Sequence, residues 1–73
     1  MPKLPVLSGH ELVRLLEKIG FQFVRQRGSH VFLRREGATT VVPLHDELDP
    51  GTLSGILKQC GLTKRDLERL LTR

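Results

Sequence analysis

A chain of 73 residues can bury one modest core and leaves no room for a deep, enclosed active site. Any chemistry must then be done on an open surface, which suits a polymer better than a small molecule held in a pocket. Twelve Lys and Arg against 8 Asp and Glu give a formal net charge of +4, a balance that favours a phosphate-bearing partner. A single cysteine, Cys60, excludes an intrachain disulfide and a cysteine-based zinc framework.

Residues 1–8 carry no apolar run of signal-peptide length, and no segment reaches the length of a membrane span. A cytoplasmic protein away from the membrane is therefore expected. Ser8-Gly9-His10-Glu11 reads as a capping box, and Leu12, Val13, Leu15, Leu16 and Ile19 follow at helical spacing up to Gly20. This spacing predicts a helix over 9–19.

From Phe21 the period changes to two, with Phe21 and Phe23 alternating against Gln22, and a first strand runs through Arg25 to a break at Gly28-Ser29. A second strand spans His30 to Glu36, a turn falls at Glu36-Gly37, and Thr39 to Val42 form a third strand stopped by Pro43. Short connections make the three an antiparallel meander. After a loop through His45, Asp46 and Glu47, Asp49-Pro50 starts a second helix with Leu53, Ile56, Leu57 and Cys60 on one stripe, and Gly61 closes it. Thr63 to Asp66 caps a short third helix whose Leu67, Leu70 and Leu71 suit either the core or a dimer surface.

The expected fold class is α+β: helix, three antiparallel strands, helix and short C-terminal helix, with the helices on one face of the sheet. That is the layout of double-stranded RNA-binding domains. We expect one domain over 1–73, with an extension at 1–7 and a core from 8 to 73.

His30 follows the Gly28-Ser29 break and lies between Arg27 and Arg34, in a stretch from 21 to 35 that holds four arginines and no acid. An imidazole there can take the proton of a ribose 2′-hydroxyl while arginines hold the phosphate, and the reaction needs no metal. The plainer reading is a polar residue on a strand after a turn. Alternation leaves its direction open, because His30 shares a face with Phe32 and Arg34, and if Phe32 is core then His30 leans toward the helices. Ser29 reads as a turn residue whose hydroxyl can bind phosphate, and no triad order supports it as a nucleophile. His45 can pair with Asp46, contact RNA or be solvated, and His10 is expected at the surface. Without an H-x-x-x-H pair or H-E-x-x-H run, neither metal nor cofactor is expected.

Gly28-Ser29-His30, then Val42-Pro43-Leu44-His45, then Gly51-Thr52-Leu53 with Ile56 to Leu62, closely resemble the HicA toxin family, also called YcfA-like proteins. The resemblance spans almost the whole chain. It implies a double-stranded-RNA-binding-like fold, a metal-independent endoribonuclease that cleaves messenger RNA, and neutralisation by a HicB-type antitoxin protein. The family's catalytic histidine maps onto His30. Arg27, Gly28, Ser29, Arg34 and His45 are then the expected RNA-binding residues. Two alternatives stand beside this reading: a non-catalytic RNA-binding module of the same fold, and a protein-interaction domain whose basic face meets an acidic partner.

Overall fold

Ser8 opens the first helix with both halves of its capping box made. Its hydroxyl accepts the Glu11 amide at 3.1 Å, and the Glu11 carboxylate accepts the Ser8 amide at 2.9 Å. In the computed structural model, which describes residues 4–72, six elements follow: α1 (Gly9–Lys18), β1 (Gln22–Arg27), β2 (His30–Arg35), β3 (Ala38–Pro43), α2 (Pro50–Gln59) and α3 (Lys64–Leu71). Residues 1–3 and 73 of the expected domain and its N-terminal extension lie outside the described residues.

The strands form one antiparallel sheet in the order β1-β2-β3, so the fold is α+β with the element order read from the sequence. On β2 and β3, Val31, Leu33, Thr40 and Val42 face the helices and are buried. Leu12 and Leu16 of α1, Leu53 of α2 and Leu67 of α3 are fully buried in the same core. Burying such a side chain contributes about 1.5–3 kcal/mol. Thr40 is the polar exception, and its hydroxyl donates to Oε1 of Gln59 at 2.7 Å, which removes the penalty of an unmade bond. Beside it, burial pushes the Cys60 thiol above its ordinary pKa, in keeping with a core filler.

The helices do not cover the sheet evenly. Both α1 and α2 pack against β3, and β1 projects beyond them with all six residues exposed. Phe23 pairs with Leu33 and so lies on the helix side as alternation predicts, yet it remains 52% exposed, while Phe21 is buried. The difference is one of reach: Phe21 sits under the end of α1, and no helix extends over Phe23.

α2 begins as expected at Asp49, whose carboxylate accepts the Thr52 hydroxyl at 2.6 Å and its amide at 3.2 Å. α3 begins with a second capping box between Thr63 and Asp66. Leu67 of α3 belongs to the core, Leu70 is half-buried and Leu71 is exposed. Among the described residues no helix is long and apolar enough to cross a membrane.

Candidate functional site

The hairpin between β1 and β2 turns on two residues. Gly28 has φ +56°, while Ser29 stays out of the positive region, the pattern of a type II′ turn, which favours glycine at the first position. A two-residue turn fixes the register, so Arg27 stands directly opposite His30. On its other side His30 is paired with Pro43. Because Val31 and Leu33 take the helix side, His30, Phe32 and Arg34 point to the open face of the sheet. Phe32 is thus half-buried on the outer face and is not part of the core, so His30 does not lean toward the helices.

Three rows of residues cross this face: Arg27, His30 and Pro43; then Arg25, Phe32 and Val41; then Gln22, Arg34 and Thr39. Three are arginines and none is acidic, so the field over the face is positive. His30 is exposed, and its cross-strand neighbour Arg27 has its Cβ within about 5.5 Å. Arg34 is four residues along the same strand, about 13 Å away, and would meet a different phosphate of any bound strand.

The end of the sheet near His30 is held by backbone hydrogen bonds. The Leu44 amide donates to the Ser29 carbonyl at 2.6 Å, and the Gly9 amide donates to the His45 carbonyl at 2.9 Å. The segment after β3 is thus tied to the hairpin turn on one side and to the start of α1 on the other. His45 is exposed at the same end as Gly28, Ser29 and His30. His10, in the first turn of α1, is exposed there too, as expected.

Arg35 faces the other way. Its Nη1 donates to the Ile19 carbonyl at 2.6 Å and its guanidinium lies 4.8 Å from the Phe21 ring centroid, so it closes the end of α1. Two open hollows, of about 310 and 660 Å³, lie at that far end of the sheet, both bordered by Ile19 and Arg35. Neither includes His30. Among the described residues, no group of three or more His, Cys, Asp or Glu is placed to hold a metal ion.

Arg25 is one of the four arginines of the basic stretch, but the sequence does not place it at the site, and the reason is a β-bulge. Between Phe23 and Arg25 the register shifts, leaving Val24 without a partner. Counting in twos from Phe21 puts Arg25 on the helix side; the bulge turns it to the open face, where its guanidinium lies 4.7 Å from the Phe32 ring centroid. The available signal was the two-residue turn, since counting back from Gly28-Ser29 pairs Arg25 with Phe32.

An exposed imidazole in register with a guanidinium, on a face without acids, can move a proton at a phosphate backbone while the arginine offsets the charge that develops. A family model described as "HicA toxin of bacterial toxin-antitoxin" matches residues 9–62, most of the chain. The chain belongs to the HicA toxin family. It is thus a member of a family of toxins from bacterial toxin-antitoxin systems. The HicA match runs from the first residue of α1 through the loop after α2 and contains Arg27, Gly28, Ser29, His30, Arg34 and His45, whereas α3 lies beyond it. No curated protein matches the sequence.

Proposed function

We propose that this toxin is a metal-independent endoribonuclease that cleaves messenger RNA in the cytoplasm, with His30 as its general acid or base and the whole chain as one HicA-like domain. The observation that carries this reading is the placement of His30: exposed, opposite Arg27, on a sheet face without acids. The imidazole takes the proton of a ribose 2′-hydroxyl, the 2′-oxygen attacks the adjacent phosphorus to form a 2′,3′-cyclic phosphate, and the P–O5′ bond breaks as the leaving 5′-oxygen takes a proton from water. Arg27 offsets the charge on the phosphoryl oxygens. Gly28 and Ser29 let the RNA backbone approach closely, while Arg34 and His45 hold it to either side. A HicB-type antitoxin neutralises the toxin by covering this face.

The test is degradation of messenger RNA in excess chelator by the parent and by His30→Ala. The parent should cut and the variant should not. His30 is exposed, so its loss should change stability by no more than about 0.5 kcal/mol. Equal degradation by both proteins would refute the role of His30, and binding without cleavage by the parent would leave a non-catalytic RNA-binding module.

A further inference from the structure

The middle row of the open face carries a feature that proton transfer and phosphate binding do not use. Phe32 occupies the centre of a surface otherwise rich in arginine, with Val41 beside it and Pro43 next to His30 in the neighbouring row. All three are half-buried, and the Arg25 guanidinium lies 4.7 Å from the Phe32 ring centroid. The β-bulge puts Arg25 in that position. An aromatic ring paired with a guanidinium plane is a stacking platform of the kind that unpaired bases occupy on RNA-binding sheets.

We infer that Phe32 and Arg25 bind one unpaired nucleobase next to the phosphate at His30, and that they make the site selective for single-stranded RNA. The inference deepens the ribonuclease reading and rests on it for the position of the scissile bond. An A-form duplex keeps its base faces stacked inside and offers the protein only phosphates, 2′-hydroxyls and groove edges, none of which gains from an apolar patch at the centre of the site. A single strand can turn one base outward. Phe32 is two residues from His30, about 7 Å along β2, so the stacked base belongs to a nucleotide flanking the bond to be cut. Phe32 and Arg25 are positioning residues here, and the general layout shared with duplex-binding domains does not make duplex RNA the substrate.

The experiment measures binding of the full chain to three probes of equal length. One is a 2′-O-methyl single-stranded oligoribonucleotide, which has no free 2′-hydroxyl to attack; the second is the same strand annealed to a 2′-O-methyl complement; the third is an abasic 2′-O-methylribose-phosphate strand. The parent should bind the single strand most tightly. Phe32→Leu should weaken that binding roughly 5- to 150-fold and leave the duplex and abasic strands unchanged, while Phe32→Tyr should retain it. Arg25→Lys keeps the charge but loses the plane, and should weaken the single strand more than the abasic one. Phe32→Leu binding the single strand like the parent, or losing all three probes alike, would overturn the inference, as would loss of single-strand binding by a folded Phe32→Tyr. Because the probe cannot be cleaved, the two readings fail separately. A parent that shows this pattern but cuts no RNA would refute the nuclease and leave the base platform.

Discussion

Gly9 and Pro43 touch so closely that the Pro43 carbonyl oxygen occupies the space where Gly9 would carry a side chain. A Cβ built on Gly9 would overlap that oxygen and come within 2.8 Å of the Leu44 Cα. These neighbours are backbone, which cannot rotate aside as the end of a side chain can. Gly9→Ala should therefore destabilise the protein by about 1–3 kcal/mol, although alanine is the better helix former. It should also lower cleavage under conditions where the variant is folded, because Pro43 is the cross-strand partner of His30. Chemical denaturation monitored by circular dichroism gives the first number, and an unchanged or raised midpoint would show that the contact relaxes at little cost.

Much of this fold was legible because local signals and packing agree. Ser8 with Glu11, Asp49 with Pro50 and Thr63 with Asp66 each start the helix their side chains announce, since a cap is a bond between near neighbours in the chain. The site was harder to read. His30 and Arg27 could be proposed from the Gly28-Ser29 break, but the side on which His30 lies depended on whether Phe32 or the pair Val31 and Leu33 entered the core, and residues that are all apolar do not settle that by composition. Arg25 was hidden by a bulge that residue types do not announce, and Arg35 was indistinguishable from Arg34 until Ile19 and Phe21 were seen to engage it. Phe23 shows the remaining gap, because alternation gives the side of a sheet but not how far the helices extend over it.

The turn joining β2 and β3 has a removable strain. Both of its central residues have positive φ, Glu36 at 48° and Gly37 at 87°, which is a type I′ pattern that favours Asn-Gly. Glutamate in the left-handed region is disfavoured by about 1–2 kcal/mol. Glu36→Asn should raise stability by about 0.5–1 kcal/mol. Glu36 is at the end of β2 away from His30, so RNA cleavage should not change. A thermal or urea midpoint at or below that of the parent would show that the Glu36 side chain has a compensating partner in solution.

Two helix caps should make the protein acid-sensitive. The Thr52 hydroxyl and amide hold the Asp49 carboxyl below its ordinary pKa, and the Thr63 amide and hydroxyl do the same for Asp66. A carboxyl with a lowered folded-state pKa stabilises the fold above its unfolded value, about 3.9, and this contribution is lost as pH falls through the lower folded value. The unfolding midpoint should therefore drop with acidification through that window. In the double variant Asp49→Asn, Asp66→Asn the caps remain as neutral hydrogen-bond acceptors but no longer titrate, so the drop should be shallower. Equal acid slopes for parent and variant would assign the sensitivity to other carboxyls.

Arg27 and Arg34 should separate in kinetics though not in salt dependence. Both lie on the open face, but Arg27 is opposite His30 and Arg34 is about 13 Å further along β2. If each meets one phosphate of a single strand, Arg27→Gln and Arg34→Gln should each reduce the slope of log binding constant against log salt by about 0.7. Turnover distinguishes them. In the proposed mechanism Arg27 offsets the charge that develops during attack on phosphorus and Arg34 holds a neighbouring phosphate equally before and during the reaction, so loss of Arg27 should lower kcat, whereas loss of Arg34 should raise KM with kcat unchanged. Single-turnover cleavage at saturating protein isolates the chemical step, and an equal fall in that rate for both variants would place Arg34 at the reacting phosphate in the bound complex.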